Sequence, residues 1–277
     1  MKETAFLPSF LSHQSKSTVI WCYTGAGYGY KENYKQIINL NRNAIPIIII
    51  FSNAGALVAN RYGFFWNLGQ TTIEKDLIHF IFENEKVLQC NIKKILDRAN
   101  LSYSTAPNDP AFSYAISLAN NDAVRCIIGS PLTANTTAKL ANGIADTFIT
   151  NLIVHGLKAG KKIGIFPTDA SFPEVTSFLP VRYHSKTISR KVDPKLCQFN
   201  AIKINRFNQI EYLAHFCVGC LKCVHEFPEV FSFLEEITVK IRQIDAQNAS
   251  KLASELSIFN KPEQINPFVK QLFRQFK

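Results

Sequence analysis

The apolar run at 45–51, IPIIIIF, restricts how this chain can fold more than any other segment. It is far shorter than the ~20 residues that a bilayer-spanning helix requires. A strand with one face in water alternates apolar and polar residues, whereas an uninterrupted β-branched run suits a parallel strand covered on both faces. Three further runs have the same character: TVIWCYT at 18–24, VRCIIGS at 124–130 and KIGIFPT at 162–168. Helically spaced segments follow each of the first two runs, occupy 111–120, and extend from Asn135 to Lys158. Strands alternating with helices predict βαβ units, hence an α/β fold with a doubly wound parallel sheet. Residues 74–99 read as helix, because Ile78, Ile81, Phe82, Ile92, Ile95 and Leu96 form a mostly apolar stripe. The stretch 102–110 reads as a polar, proline-containing loop. Right-handed crossovers would collect the strand-end loops GAG, SNAG and SPLTANT along one edge, where doubly wound folds bind ligands.

The pattern changes after about 170, where Pro173, Pro180 and Pro194 break the chain into short pieces. Three regions are therefore expected: a ligand-binding domain at 1–185, a small module at 186–232, and a helical tail at 233–277 for packing or oligomerisation. The net charge is +10, yet the 31 Lys and Arg are dispersed, not striped with aromatics. No recognisable nucleic-acid motif carries a basic face, so a nucleic-acid reader is not expected. The charge could steer an acidic electron donor or an anionic ligand. The N-terminal MKETAFLPSFLSHQSK lacks the continuous apolar core of a signal peptide, and no membrane anchor is expected. The expectation is a cytoplasmic protein.

The small module carries the most specific chemistry. Cys217, Cys220 and Cys223 stand in CVGCLKC, the C-x2-C-x2-C run that wraps an iron–sulfur cube. Two-cluster ferredoxins continue with x3-C-P, and that fourth cysteine ligates the other cluster. Here the position is Phe227, followed by Pro228, so the other cluster has lost a ligand. By the same crossover rule the fourth ligand of the surviving cluster comes from a distant turn. Cys197 is placed for it: CQFNAIKI resembles the ferredoxin stretch after a cluster-ligating Cys-Pro, with Gln198 in place of proline. One [4Fe–4S] cluster on Cys197, Cys217, Cys220 and Cys223 accounts for both departures. A zinc site with help from His215 or His225, a three-iron cluster and unligated thiols are the alternatives; structural zinc usually takes separated pairs or a Cys/His mixture. Nothing suggests secretion, so disulfides are not expected. Cys22, Cys90 and Cys126 read as buried small hydrophobes.

The first strand runs into Thr24-Gly25-Ala26-Gly27 and then a helix. Glycines there let backbone N–H groups approach a phosphate, whose charge the helix start favours. The same sequence also suits a mere tight connection. Ser52 ends the second strand, either as a second phosphate donor or as a helix N-cap. The third loop, SPLTANTTAKLANGIAD at 130–146, offers small side chains, hydroxyls and an amide to a flat heterocycle, although such residues often serve as caps.

Together TGAG, SNAG followed by VANRYGFFWNL, and SPLTANTTAKLANGIADTFITN resemble the homo-oligomeric flavin-containing Cys decarboxylase family, over roughly 18–170. Within it, S-x-A-G…R-Y-G-x-x-W, the appended cysteines and Arg190-Lys191-Val192-Asp193 resemble the archaeoflavoprotein and dihydromethanopterin reductase (acceptor) branch. That resemblance implies a Rossmann-like sheet binding FMN at a subunit boundary. It places Gly25, Ala26, Gly27 and Ser52 at the phosphate, and Ser130, Thr133, Ala134, Asn135 and Thr136 along the rest of the cofactor. The family's decarboxylases use a histidine soon after the second-strand motif. This chain has none between Ser52 and Trp66, the first being His79 in the expected helix, so flavin redox is favoured over decarboxylation.

The implied function is an oxidoreductase fed by a ferredoxin-type or flavodoxin-type donor, passing electrons through the cluster to FMN and on to a small-molecule acceptor such as a dihydropterin. The alternative is a non-enzymatic electron carrier with the same cofactors. No protein acid or base is assigned; Lys139, Arg61 and His155 are candidates to assist substrate or flavin. A trimer-based homo-oligomer is implied, and the aromatic YGFFW at 62–66 fits either an interface or the subunit core.

Overall fold

The computed structural model describes residues 17–109, 111–184 and 192–274. The N-terminal MKETAFLPSFLSHQSK, and Arg190 and Lys191, lie outside the described residues. Strands β1 (Thr18–Tyr23) and β2 (Ile47–Phe51) flank helix α1 (Tyr30–Arg42), and α2 (Asn53–Arg61) and α3 (Phe64–Gln70) lead to β3 (Ile78–Phe82). Helix α4 (Ile92–Ala99), β4 (Ser102–Thr105), α5 (Ser113–Asn120) and β5 (Val124–Leu132) follow. Helices α6 (Ala134–Ala141) and α7 (Phe148–Lys158) then precede β6 (Lys162–Pro167).

The second part begins with β7 (Glu174–Leu179), β8 (Arg182–Tyr183), β9 (Ile202–Ile204) and β10 (Ile210–Tyr212). It continues through α8 (Lys222–Glu226), β11 (Phe231–Ser232), β12 (Glu235–Lys240), α9 (Gln243–Lys251), β13 (Ser257–Ile258) and α10 (Ile265–Arg274). The central sheet has seven strands in the order β13-β6-β5-β1-β2-β3-β4. Every pair in it is parallel. Strand order reverses at β1: the chain first builds outward through β2, β3 and β4, then returns to place β5 on the other side. A doubly wound sheet opens its ligand crevice at that reversal, beyond the carboxyl ends of the strands.

Residue alternation along β1 divides the interior into two layers. Val19, Trp21 and Tyr23 join α1, α2, α3, α4 and α10 through Ile37, Ala59, Phe64, Ile92 and Ile265. Ile20 and Cys22 face α5 and α7 through Leu118 and Leu152. Covering both faces explains why these strands read as continuous apolar runs. Cys22 and Cys126 are fully buried, and burial pushes the Cys126 thiol up to about 12. Cys90 is only half-buried, with its carbonyl accepting a hydrogen bond from Asn60 Nδ2 at 3.1 Å.

Three expectations are corrected. The continuous helix expected over 74–99 is interrupted by β3, whose five residues are all buried, so His79 stands on a strand. The expected loop at 102–110 begins with β4, which pairs with β3 at the sheet edge. The tail 233–277 is not simply helical: β12 pairs antiparallel with β7 over six residue pairs, and β13 extends the central sheet beside β6. Of the two readings of YGFFW the subunit core holds for Tyr62, Phe64 and Phe65, which are buried inside the subunit. Among the described residues no helix is long and apolar enough to cross a membrane.

Candidate functional site

The end of β1 and the start of α6 are joined by a single side chain. Thr24 Oγ1 donates to the carbonyl of Pro131 at 2.9 Å and accepts from the Thr133 N–H at 2.9 Å. This fixes the GAG loop against the loop after β5, across the reversal of strand order. An open cavity of about 220 Å³ lies there, bordered by Gly25, Ala26, Gly27, Thr133, Thr168 and Asp169. Its far wall is the β7–β12 pair, through Val175, Ser177 and Val239.

Glycine is required where the loop is most closely packed. A Cβ on Gly25 would stand 2.7 Å from Ala54 Cβ at the start of α2, and one on Gly27 would stand 2.9 Å from Tyr62 Cζ. The loop therefore presents main chain to the cavity; the Ala26 N–H is donated to the Thr24 carbonyl at 2.8 Å, which leaves the amides of Gly25 and Gly27 to meet an anion.

The other sequence candidates divide. Ser52 caps α2, its Oγ accepting from the Gly55 N–H at 3.0 Å. Ser130 is fully buried, and its hydroxyl donates to Asn33 Oδ1, so that side chain does not border the cavity. Thr133 caps α6 through the Thr136 N–H at 3.3 Å. Ala134 and Thr136 are half-buried in the first turn of that helix and Asn135 is exposed; none of the three borders the cavity. Lys139 is committed to Asp146 at 2.8 Å, and His155 stands two turns into α7.

Sequence reasoning missed Thr168 and Asp169. They follow β6 as Thr24 follows β1, so the strand-end rule applied to the fourth apolar run would have found them. Thr168 Oγ1 bonds the Leu132 carbonyl at 3.1 Å and Asp169 Oδ2 at 2.6 Å. Glu83, just past β3, accepts from the N–H groups of Asn53 at 3.3 Å and Phe148 at 3.4 Å. A carboxylate thus already serves the starts of α2 and α7, as the helix dipole favours.

The four cysteines expected to act together border one small apolar cavity: Cys197, Cys217, Cys220 and Cys223. Backbone donors point at their sulfurs, from Ala201 N–H to Cys197 Sγ at 3.3 Å and from Gly219 N–H to Cys217 Sγ at 3.5 Å. Burial raises the thiols of Cys217 and Cys220 and pushes Cys223 up to about 12. Among the described residues no group of three or more His, Cys, Asp or Glu could hold a metal ion.

The cysteine region is docked on the sheet. Asn91 Nδ2, preceding α4, donates to the carbonyls of Phe199 at 3.1 Å and Phe216 at 2.9 Å, clamping both cysteine-bearing segments. Trp66 meets Phe199 edge-on, with ring centroids 5.6 Å apart. Gly219, left-handed at φ +63°, lies back to back with Gly63, also left-handed at φ +82°.

The segment Arg61-Tyr62-Gly63 lies between the two cavities. Arg61 Nη2 donates to the Val181 carbonyl at 3.4 Å, and Val181 borders the cysteine cavity. Tyr62 stacks on Tyr30 at 4.2 Å, donates to the Phe178 carbonyl and packs on Gly27. Arg61, a sequence candidate for the flavin, therefore belongs to the cysteine side. His79 is remote in role as well, bonded to Ser102 Oγ at 2.8 Å and Ser104 Oγ at 2.9 Å. Burial holds its imidazole down at about 4.

Residues 9–183 match the family model described as Flavoprotein. A dihydromethanopterin reductase (acceptor) of Methanocaldococcus jannaschii is 28% identical over 256 residues, covering 90% of this chain and 94% of the relative. That of Methanosarcina mazei is 23% identical over 256 residues, covering 89% and 96%. Among solved structures, Burkholderia xenovorans DmrB in complex with FMN, described as a cubic protein cage for redox transfer, superposes with a TM-score of 0.54 at 14% identity. The superposition covers 95% of this chain and 98% of DmrB. With a parallel sheet that reverses at β1 and a family match over more than half its length, the chain belongs to the flavoprotein family.

Proposed function

We propose that this chain is an FMN-dependent reductase that takes electrons from a ferredoxin-type or flavodoxin-type protein through a [4Fe–4S] cluster and reduces a small organic acceptor of the dihydropterin class. The observation that carries the reading is the gathering of Cys197 with the CVGCLKC cysteines around one cavity, joined by Arg61-Tyr62-Gly63 to the glycine loop at the strand ends. Two reductase relatives match along nearly the whole chain, the cysteine region included, and DmrB is described with FMN.

The residues that would hold each group can be named. Gly25 and Gly27 would receive the phosphate of FMN through main-chain N–H groups, as a loop opening a helix does, the Ala26 N–H being donated to the Thr24 carbonyl at 2.8 Å, with the Thr133 and Thr168 hydroxyls beside them. The four cysteines would each supply one thiolate, and the N–H groups of Ala201 and Gly219 already point at two sulfurs, an arrangement that tunes cluster potential. When bound, FMN supplies two-electron transfer to the acceptor and the cluster supplies one-electron transfer from the donor. The protein fixes the two sites relative to each other, and the β7–β12 pair walls the strand-end cavity on its far side.

The description of DmrB as a cubic cage also supports a homo-oligomer; a trimer-based assembly is the proposal. Anaerobic purification followed by chromatography of the released flavin and by iron and acid-labile sulfide analysis tests the cofactors. FMN with about four iron and four sulfide per chain is expected. Recovery of FAD alone, or of zinc without sulfide, would overturn the corresponding half. Reduction of a panel of pterins, dihydropterins included, by the photoreduced protein separates an enzyme from a carrier, and no turnover of any of them would favour the carrier.

A further inference from the structure

We propose that Asp169 selects the small-molecule acceptor, its carboxylate accepting two neighbouring N–H donors of an aminopyrimidinone ring. This rests on the reading that the chain reduces a dihydropterin-class acceptor at the strand-end cavity. Asp169 is the one charged side chain bordering that cavity among the described residues. It follows Thr168 just past β6 and is half-buried. The rest of the border is main chain, hydroxyls and apolar side chains such as Val175 and Val239. In a pocket of this kind the few polar groups fix the orientation of the ligand and supply its specificity.

The carboxylate is oriented without being used up. Thr168 Oγ1 donates to Oδ2 at 2.6 Å, and no hydrogen bond among the described residues reaches Oδ1. An ionised carboxylate offers about four acceptor positions, so most of its capacity is open. The cation that feels its charge is Arg242, which feels Asp245 first and Asp169 last. Arg242 is already forked onto Asp245, through Nε and Nη2 at 2.8 Å each. Its side chain is largely exposed, where water and salt screen it.

Charge and hydrogen-bond pattern decide which ligand the carboxylate meets. It repels the phosphate that the Gly25 and Gly27 amides attract, so it does not serve that group. The pyrimidine edge of a flavin presents a single N–H between two carbonyls, whose oxygens turn a carboxylate away. A dihydropterin presents a ring N–H beside an amino group. Those two parallel donors match the two carboxylate oxygens as an arginine fork does. The acceptor, and not the cofactor, has the edge that fits.

The test is a calorimetric titration of the full chain, purified anaerobically with its flavin, against dihydropterin and against dihydrolumazine, which carries a carbonyl in place of the amino group. The unaltered chain is expected to bind dihydropterin about tenfold more tightly, because a site built to accept a hydrogen bond rejects the analogue that lacks the donor. Asp169→Asn offers one acceptor and one donor. It should weaken dihydropterin about tenfold and favour dihydrolumazine, with FMN content unchanged. Asp169→Ser should abolish the preference without reversing it. Equal dihydropterin affinity in Asp169→Asn and the unaltered chain overturns the inference. Loss of FMN affinity with dihydropterin binding intact overturns it too, by assigning the carboxylate to the ribityl hydroxyls. Should Asp169→Asn fail to fold, Asp169→Ser decides by the same comparison. An unaltered chain that neither binds nor reduces dihydropterin removes the acceptor reading and this inference together. Binding and reduction that neither substitution alters remove only the role of Asp169.

Discussion

Substituting Gly219 with alanine tests whether the cysteine region is rigidly docked on the flavin domain. Gly219 has φ +63°, and a Cβ there would overlap Gly63 N while standing 2.7 Å from Gly63 Cα and 2.8 Å from the Arg61 carbonyl. All three are main-chain atoms, so no side chain can turn aside. The left-handed backbone alone costs an alanine roughly 1–2 kcal/mol, and overpacking adds typically 1–3 kcal/mol. Gly143 isolates the first contribution, because it has φ +70° with nothing within 4 Å of the place a Cβ would take. Gly143→Ala should therefore lose about 1–2 kcal/mol, whereas Gly219→Ala should lose about 2–5 kcal/mol or undock the region first. Thermal unfolding measures the global loss at about 2–4 °C per kcal/mol for a chain approaching this size. Limited proteolysis near the β9–β10 hairpin and iron content detect undocking. Equal stability losses in the two variants, with iron and protease resistance intact in Gly219→Ala, would refute the docking argument.

Three further outcomes are expected. On the proposed cluster reading, Cys197→Ser should lose iron about as severely as Cys220→Ser while Cys90→Ser retains it, as measured by iron analysis; a full, stable cluster in Cys197→Ser would sink the ligand assignment. Gly27→Ala drives a methyl into Tyr62, which is held by Tyr30 and Phe178, and should weaken FMN binding at least tenfold, about 1.4 kcal/mol, in a fluorescence titration of flavin-free protein. His79 is held at about 4 against an ordinary 6.5, so unfolding takes up a proton as pH falls: its contribution is complete above about 6.5 and is lost on the way down to about 4. Chemical denaturation should show about 2 kcal/mol less stability near pH 5 than near pH 7.5, with a smaller difference in His79→Gln.

The sheet was legible wherever burial on both faces wrote an unbroken apolar run, as in β1, β2, β5 and β6. Strand β3 escaped because Ile78, Ile81 and Phe82 match a helical stripe as well as a buried strand, and five residues are too few for period alone to decide. Its pairing with β2 on one side and β4 on the other settles the matter, a tertiary cause with no local trace. Strand β12 escaped for the opposite reason. Its residues alternate between exposed and half-buried, and only the distant β7 gives that alternation a meaning. The two-residue β13 has no period to detect.

The site divides along the same line. Gly25, Ala26, Gly27 and Thr133 were accessible because strand-end position and small size are both written locally. Val175, Ser177 and Val239 were not, since they reach the cavity only through the β7–β12 pairing. Ser130 misled for a related reason: a serine closing a strand reads as exposed hydroxyl, but β5 continues to Leu132, and the side chain turns inward to Asn33. Arg61-Tyr62-Gly63 was visible as a family-like motif, yet its division of labour was not. Consecutive residues there face different neighbours: Arg61 the cysteine wall, Tyr62 the glycine loop, and Gly63 the Cys217–Cys220 loop. Asn91 and the stretch Arg61–Trp66 together hold Val181, Phe199, Phe216 and Gly219, so a swing of the cysteine region must break several contacts together. With each hydrogen bond worth about 1 kcal/mol net and the aromatic and glycine packing added, the separation between the two cavities is set by the fold. On the proposed reading, electrons then cross one fixed gap beside Tyr62, and their rate responds to substitutions at 61–63 before it responds to the length of the linker.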